Sequence, residues 1–510
     1  MRPNVVLVVC DDMGYSDLGC YGGELDTPAV DGLAQSGVRL SQFYNTARCS
    51  PSRASLLTGL HPHQTGVGVL AQGIDDRPDG YQGHLNDRCA TVAELLKRHG
   101  YRTALAGKWH LARNPFVPDK TWPTRRGFDE FYGTLVGAGS YFEPRTLTRG
   151  EENVEHEARE HGFYYTDTIT SEACAFVERA ATPFFLYVAY TAPHWPLHAH
   201  TEDIAKYDGV FDEGWDVLRA RRLRTLADMG LLDERAELSP RDERVPPWQH
   251  DAWQVARMQA YAAQIDRMDQ GIARIVGALR NRRVLEDTLL LFVSDNGASD
   301  EELPKAHFDD RTDIVPPGVR VGNTPAIEPG PRDTYASYGV GWANVSNAPF
   351  RLYKRWVHEG GIATPLVVHW PNGNLRDGGV AHALFQLTDV LPTILDAAGL
   401  DGPQLEGRSM LPALRGEAVE PRPLFWEHTG NAAVRLGDWK LVRGFGGGWE
   451  LYSLELDRTE LRDVAGEHPA RVRELAALWD DWAERAGVIP WRRILELYER
   501  RGQGEEDAWM

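Results

Sequence analysis

Residues 4–12 of the chain read NVVLVVCDD, an apolar run that ends in two aspartates. The run from Val5 to Val9 predicts a strand that is buried on both faces. Such strands belong to mostly parallel sheets covered by helices, and these sheets place their ligand sites at the carboxyl ends of the strands. Asp11 and Asp12 are therefore candidate site residues.

Further apolar runs of strand length follow, and helical patterns separate them. Helix starts are indicated by Thr27, Ser50, Thr91 and Thr388, each at a position where its side-chain oxygen would cap a first turn. Apolar residues at helical spacing also predict a long helix within residues 253–279. This alternation predicts an α/β fold in which helices enclose a large, mostly parallel mixed sheet. Beyond the first strand, the predicted strands are residues 38–44, 102–106, 183–190, 289–294 and 365–369.

The sequence pattern changes near residue 421. Short strand-like runs at residues 424–427, 439–442 and 449–454 precede an amphipathic helix at residues 469–486. These features predict a smaller α+β domain with a short antiparallel sheet at residues 421–510. With 510 residues the chain is long enough for a large domain at residues 1–420 as well.

The charge balance limits the partners. The chain has 55 Lys and Arg against 74 Asp and Glu, a net charge of −19, which argues against nucleic acid and anionic membranes as partners. No apolar run approaches the roughly 20 residues of a membrane helix. The five cysteines include no Cys-x-x-Cys pair, and no signal-peptide cleavage site follows the first strand. We therefore expect a cytoplasmic protein, or a periplasmic or secreted one if a leader has been removed.

A second polar strand end resembles the first. Asp295 and Asn296 directly follow the predicted strand at residues 289–294. Carboxylates and an amide carbonyl from two strand ends suit Ca²⁺ or Mg²⁺, whereas zinc prefers His and Cys. The alternative is that each aspartate only caps the following turn or helix, and either pair taken alone fits that alternative better.

Residues 49–59, CSPSRASLLTG, carry the most specific motif. They resemble the signature of the sulfatase family, Cys-x-Pro-x-Arg followed by a short helix that ends in Thr-Gly. A buried cysteine ahead of a proline-initiated helix is the structural alternative, and the match through Thr58 and Gly59 argues against it. The resemblance implies that a formylglycine-generating enzyme oxidises Cys49 to formylglycine, an aldehyde.

Other blocks match the same family in the same order. Besides residues 4–12, they are residues 107–110 (GKWH), 192–196 (APHWP), 294–297 (SDNG), and Lys354 with residues 359–361 (EGG). Residues 347–354 are most similar to bacterial arylsulfatases. The resemblance implies an alkaline-phosphatase-like fold and arylsulfatase-like hydrolysis of sulfate monoesters, which releases sulfate and an alcohol or phenol.

The resemblance also implies a cation site and a nucleophile. The metal ligands would be the modified residue 49 with Asp11, Asp12, Asp295 and Asn296. Ca²⁺ is the expected ion, with Mg²⁺ as the alternative. One hydroxyl of the formylglycine hydrate would coordinate the metal and attack sulfur.

The resemblance also implies the remaining roles, and they agree with the charge that develops during sulfuryl transfer. Negative charge grows on the peripheral and leaving oxygens, so the reaction needs nearby cations and an acid. By resemblance, Arg53 supports the hydrate, and Lys108 and Lys354 bind the sulfuryl oxygens. The resemblance makes His194 the candidate acid that would protonate the leaving oxygen. His110 helps to deprotonate the second hydroxyl, so that the sulfo-hemiacetal collapses and expels sulfate.

Two other functions stay open on the sequence alone. A phosphonate monoester or phosphodiester hydrolase of the same superfamily can share the nucleophile, and an unmatured sulfatase-like protein would only bind anions. The substrate is expected to be an aryl sulfate or a sulfated sugar, recognised by loops at residues 133–150, 198–250 and 300–347. Aromatic side chains suited to stacking on a ring are Tyr141, Phe142, Trp342 and Tyr353.

Overall fold

A computed structural model describes residues 2–71, 77–304, 308, 311–376 and 378–500 of the protein. Its strands are β1 (Asn4–Cys10), β2 (Val38–Leu40), β3 (Phe43–Tyr44), β4 (Arg102–Gly107), β5 (Glu130–Gly133), β6 (Thr148–Arg149), β7 (Glu152–Asn153), β8 (Phe184–Ala189), β9 (Thr288–Ser294), β10 (Arg320–Val321), β11 (Thr334–Tyr335), β12 (Leu366–His369), β13 (Gly379–Ala381), β14 (Phe385–Gln386), β15 (Leu424–His428), β16 (Asn431–Leu436), β17 (Trp439–Arg443) and β18 (Glu450–Ser453).

The helices connect these strands and cover them. They are α1 (Pro28–Gln35), α2 (Cys49–Thr58), α3 (Pro62–Thr65), α4 (Val92–Arg98), α5 (Tyr165–Arg179), α6 (Thr201–Ala205), α7 (Gly214–Asp228), α8 (Ala252–Asn281), α9 (Gly339–Ser346), α10 (Glu359–Ile362), α11 (Val390–Ala397), α12 (Leu411–Leu414), α13 (Pro469–Ala486) and α14 (Trp491–Glu499). Among the described residues, no helix has the length and apolar character needed to cross a membrane.

The large sheet has ten strands in the order β13-β2-β12-β9-β1-β8-β4-β5-β6-β7. Strands β9, β1, β8, β4 and β5 run parallel, whereas β12 is antiparallel to both of its neighbours. Strand β1 lies at the centre, paired with β8 on one side and β9 on the other. The carboxyl ends of the parallel strands therefore meet at one edge of the sheet.

Alternate residues of β1 belong to different faces of the sheet. Val6 and Val8 pack into a core that includes residues of α5 and α8, while Val5, Leu7 and Val9 pack into a second core with residues of α2, α4 and α11. Because both faces are covered, every residue of β1 is buried. The continuous apolar run at the amino terminus has this physical cause.

Several predicted boundaries shift by one or two residues, and some helix starts were wrong. The strand predicted at residues 38–44 is in fact two strands, β2 and β3, which belong to different sheets. Thr91 caps α4 in a capping box with Glu94, as predicted. Ser50, however, lies inside α2, which begins at Cys49, and its hydroxyl accepts a hydrogen bond from the Ala71 N–H instead. Thr388 lies in a 3₁₀ turn ahead of α11 and does not cap it.

The carboxyl-terminal sheet is antiparallel, in the order β15-β16-β17-β18, and α13 packs on it. The sequence pattern predicted β15, β17 and β18 but missed β16. Nothing in the strand pairing tests the boundary at residue 420, which stays a prediction.

A buried ion network joins this sheet to the block at residues 359–361. Lys440, on β17, lies 2.9 Å from a carboxylate oxygen of Glu359 and 2.8 Å from one of Glu460, and all three side chains are inaccessible to solvent. Tyr44 donates a further hydrogen bond to Glu359 at 2.9 Å. Buried ions of this kind need every partner, because a charge left unpaired in the interior is costly.

Replacement of Lys440 by Ala should therefore destabilise the protein strongly. We expect the free energy of unfolding, measured by urea denaturation, to fall by about 3–5 kcal/mol. The matched control is Lys120→Ala, which breaks the exposed pair of Lys120 with Asp87 and should cost less than about 1 kcal/mol. Equal effects of the two substitutions would contradict the assigned role of the network.

Candidate active site

The strand register brings the two polar strand ends together. Cys10, the last residue of β1, is paired with Ser294, the last residue of β9. Asp11 and Asp12 therefore leave the sheet beside Asp295 and Asn296. The Asp12 N–H donates to Asp295 at 3.3 Å, and Asp12 adopts a left-handed backbone conformation, with φ of 67°. Such strain in a non-glycine residue is typical of functional sites.

Three ion pairs neutralise the three carboxylates. Lys108, directly after β4, donates to Asp11 at 2.5 Å. Lys354 donates to Asp12 at 2.8 Å. The third cation, Arg53 of α2, lies 2.8 Å from Asp295 and also donates to the Lys108 carbonyl at 3.2 Å.

The pairing leaves the carboxylates electrostatically unequal. Burial raises the pKa of Asp11, but the cations of Lys108, His194 and Arg53 outweigh burial and hold that pKa below its ordinary value. Burial and the Asp11 carboxylate raise the pKa of Asp295. Asp11 is thus the more strongly stabilised anion of the two.

The oxygen atoms left over by these pairs fit a hard cation. Asp11 Oδ1 and Asn296 Oδ1 are buried and have no hydrogen-bond partner among the described residues. The Asn296 amide nitrogen donates to Asp12 at 2.7 Å and to the Gly297 carbonyl at 2.9 Å, which fixes the orientation of the amide. Two unpartnered oxygens within a carboxylate cluster are the donor set that Ca²⁺ or Mg²⁺ prefers. The side chains that would hold the ion are those of Asp11, Asp12, Asp295 and Asn296.

Cys49 is the first residue of α2 and is buried beside the cations. Burial raises the pKa of its thiol, and Lys108, Lys354 and Arg48 act in the opposite direction. If Cys49 is oxidised to formylglycine, its Cβ becomes the aldehyde carbon and a hydrate oxygen takes the place of its Sγ. A helix amino terminus with adjacent cations favours negative charge on that atom.

His194 lies on the same side of the cluster as Lys354. Its Nδ1 is 2.7 Å from the Trp195 carbonyl, and because a carbonyl only accepts, Nδ1 carries the proton. Nε2 then faces the site, 3.5 Å from Lys354 Nζ and 3.4 Å from a carboxylate oxygen of Asp12. Burial lowers the pKa of His194. Among the described residues, ligand atoms of Asp11, Asp12 and His194 lie within 4.8 Å of one another, so the histidine borders the cation site.

His110 is buried and has a positive φ of 57°. Burial, followed by the charges of Lys108 and Arg53, lowers its pKa well below the ordinary value. Its Nδ1 has no hydrogen-bond partner among the described residues. The ring packs against Gly137, where any side chain would collide with it. The neutral imidazole is therefore available to accept a proton.

Sequence reasoning missed an acidic side chain at this site, Glu301. It accepts hydrogen bonds from Arg48 and from the Trp195 indole, both at 2.7 Å, and it lies 3.4 Å from Lys354 Nζ. Although burial raises the pKa of Glu301, Lys354 and Arg48 hold it well below the ordinary value. No motif includes Glu301, and only the position of Arg48, directly before Cys49, could have drawn attention to this group.

The predicted stacking residues are mostly unavailable. Tyr141, Trp342 and Tyr353 are buried, and each hydroxyl or indole group is bonded inside the protein. Phe142 alone of the four is partly exposed, and it lines a groove of about 1210 Å³ together with His200. The prediction of ring stacking by the other three was wrong.

Comparison with known protein families gives two matches. The family model named Sulfatase matches residues 3–400. A second model, described as the carboxyl-terminal region of N-sulphoglucosamine sulphohydrolase, matches residues 350–479. Together the two matches span the large sheet and the carboxyl-terminal sheet.

Individual relatives agree with the family matches. An uncharacterized sulfatase of Schizosaccharomyces pombe is 32% identical over 96% of this chain and 94% of its own length. An arylsulfatase of Klebsiella aerogenes is 33% identical over 78% of this chain and 87% of its own length. The crystal structure of Ps i-CgsB superposes with a TM-score of 0.69 at 25% identity, covering 95% of this chain and 93% of that one. The likeness confirms the predicted fold class.

Binding of a cation at the four strand-end side chains should stabilise the folded protein. At about 100 times its dissociation constant, Ca²⁺ should add about 3 kcal/mol, visible as a higher melting temperature that a chelator reverses. Asp11→Asn should abolish this increment, whereas the surface control Asp233→Asn should retain it. An increment that persists in Asp11→Asn would place the cation elsewhere.

Proposed function

This chain belongs to the sulfatase family, and from that premise we propose that it hydrolyses sulfate monoesters with a formylglycine made from Cys49 and one divalent cation. Family membership makes the protein a sulfuric ester hydrolase. The observation that carries the mechanism is the position of Cys49, which begins α2 where the charges of Lys108, Lys354 and Arg48 act on its thiol.

The modified residue and the cation supply the chemistry that the genetically encoded side chains lack. Hydrated formylglycine supplies two hydroxyls on one carbon, one to attack sulfur and one to allow release of sulfate afterwards. The cation, Ca²⁺ or alternatively Mg²⁺, supplies a charge that lowers the pKa of a hydroxyl bound to it. Maturation of Cys49 requires a formylglycine-generating enzyme as a partner.

The charge balance of the site suits an anionic substrate. Its cationic side chains equal its acidic ones in number, so a bound dication leaves the site positive although the whole chain is acidic. The members of this balance are Arg48, Arg53, Lys108 and Lys354 against Asp11, Asp12, Asp295 and Glu301.

Lys354 and His194 serve the leaving oxygen. Their reactive nitrogens lie 3.5 Å apart, so both can reach a single oxygen atom that lies to one side of the line joining them. The His194 Nε2, when protonated, gives its proton to that oxygen, and the Lys354 ammonium neutralises the charge that grows there. Because Nδ1 is tied to the Trp195 carbonyl, the imidazole keeps this orientation.

Lys108, Arg53 and His110 serve the nucleophile side. Lys108 lies against Asp11 and binds a sulfuryl oxygen, while Arg53 holds Asp295 and thus the cation site. His110, whose lowered pKa keeps it neutral, takes a proton from the second hydroxyl. These three cationic and basic groups are buried, which strengthens each of these interactions.

The substrate is a small sulfate ester, either an aryl sulfate or a sulfated sugar. One relative is named an arylsulfatase, and Ps i-CgsB has been solved in complex with k-i-k-neocarrahexaose. The side chains at the cluster recognise the sulfate group that both classes share.

The nucleophile is tested at Cys49. Mass spectrometry of the matured protein should find an aldehyde or its hydrate at residue 49 in place of the thiol, and Cys49→Ala should abolish turnover. Cys174→Ala, at a partly exposed position of α5, should keep full activity. A protein that turns over aryl sulfate with an intact thiol at residue 49 would refute the proposed nucleophile.

The reaction class is tested by a panel of substrates. Matured enzyme should have a higher kcat/KM on an aryl sulfate or a sulfated saccharide than on a bis-aryl phosphate or an aryl phosphonate. The reason is that a sulfate monoester presents three non-bridging oxygens to the cationic side chains, whereas the phosphorus compounds, which carry the same single charge, present two. Higher kcat/KM on the phosphorus compounds would make the protein a phosphonate monoester or phosphodiester hydrolase. Absence of turnover on every compound would favour an anion-binding protein.

A further inference from the structure

The Glu301 carboxylate joins three segments that are far apart in the sequence. One oxygen accepts from the Arg48 guanidinium at 2.7 Å, and the other accepts from the Trp195 indole at 2.7 Å and faces Lys354 Nζ at 3.4 Å. Of these donors, Lys354 is a residue of the proposed mechanism, and the other two are sequence neighbours of such residues. Arg48 precedes Cys49, and Trp195 follows His194.

The backbone around Glu301 is held in place on both sides. The Ser337 hydroxyl donates to the Glu301 carbonyl at 2.5 Å. The preceding residue, Asp300, accepts from Arg244 at 2.8 Å and from Arg355 at 3.2 Å. Asp300 thus pairs with Arg355, and Glu301 lies beside Lys354. These two contacts fix the position of the Glu301 segment relative to the Lys354 segment.

The location of the Lys354 ammonium depends on three neighbours. They are Asp12 at 2.8 Å, Glu301 at 3.4 Å and His194 at 3.5 Å. When a cation is bound by Asp11, Asp12, Asp295 and Asn296, the Asp12 carboxylate shares its negative charge with that cation. Glu301 then becomes the main anionic partner of Lys354. Because the Lys354 side chain is only 1% exposed, water cannot replace that partner.

We propose that Glu301 is a positioning residue, whose carboxylate holds the Lys354 ammonium at the leaving oxygen and ties it to Arg48 and to the loop of His194. This inference rests on the proposed function. Glu301 does not touch the substrate in this account. It acts through Lys354, which neutralises the leaving oxygen, and through Trp195, whose ring lies 4.5 Å from the His194 ring.

The consequence is a specific pattern in the kinetics. Charge on the leaving oxygen grows most when the departing phenol has a high pKa, so a displaced Lys354 harms those substrates most. A purely structural defect would slow all substrates alike. The dependence of the rate on leaving-group pKa therefore separates the two explanations.

The experiment uses a series of aryl sulfates whose phenols span a range of pKa values, with matured wild type and Glu301→Gln. For phenols of high pKa we expect kcat of the variant to fall by about 10–100-fold, the usual effect of losing a residue that orients a catalytic group. For the most acidic phenols we expect little change. KM should change much less than kcat.

Glu302→Gln is the matched control. Glu302 is the next residue, its side chain is half exposed, and it pairs with Arg257 at 3.4 Å. In the Glu302→Gln variant, the dependence of kcat on leaving-group pKa should equal that of the wild type. Glu301→Asp keeps the negative charge but moves it back by one methylene group. The dependence of its kcat on leaving-group pKa should be steeper than in the wild type and less steep than in Glu301→Gln, and this variant serves as the test if Glu301→Gln does not fold.

The outcomes distinguish the inference from the function beneath it. If the matured wild-type protein has no sulfatase activity, the proposed function is refuted. An active wild type whose Glu301 variants fold and keep the wild-type dependence on leaving-group pKa overturns only the positioning role. A uniform loss of rate across the series overturns it as well.

Discussion

Three carboxylates buried side by side at one edge of a sheet cannot remain charged without compensation, and the architecture around them supplies it. Asp11, Asp12 and Asp295 emerge from β1 and β9, whose register places the strand ends side by side. Lys108, Lys354 and Arg53 pair with them one to one. Each pair is made across a long stretch of sequence, so the cluster can form only in the folded protein.

The same requirement extends beyond the carboxylates. Lys354, which pairs with Asp12, also lies beside Glu301, and Glu301 pairs in turn with Arg48, directly before α2. Glu359, the first residue of the EGG block, pairs with Lys440 of the carboxyl-terminal sheet. The buried pair of Lys440 and Glu359 thus joins the small sheet to the segment that follows Lys354 in the sequence. The negative net charge of the chain describes its surface and is unrelated to this interior balance.

Much of the fold and the cluster could be predicted from the sequence because the signals were local. Strand β1 is buried on both faces and reads as a continuous apolar run. Strands β6 and β7 have two residues each, and β16 contains the weak strand formers Ala432 and Ala433, so these strands leave no local signal.

The motif residues at the cluster were identified through the family blocks, whereas Glu301 was missed. Its partners are Arg48, Trp195 and Lys354, at large and unrelated separations in the sequence, and no periodicity marks such a set. The start of α2 was placed too late for a related reason. Ser50 has the residue type of a cap, but its hydroxyl is used by the Ala71 N–H. Tertiary contacts overrode local preference at these positions.

The central claim is that residue 49, once matured, and the strand-end carboxylates share one cation. The most direct measurement is a crystal structure of the matured protein grown with calcium, with anomalous scattering used to locate the ion. The account predicts one ion in contact with Asp11 Oδ1, Asn296 Oδ1 and an oxygen attached to the Cβ of residue 49. An active protein whose ion binds away from these atoms, or whose residue 49 keeps its sulfur, would contradict the account.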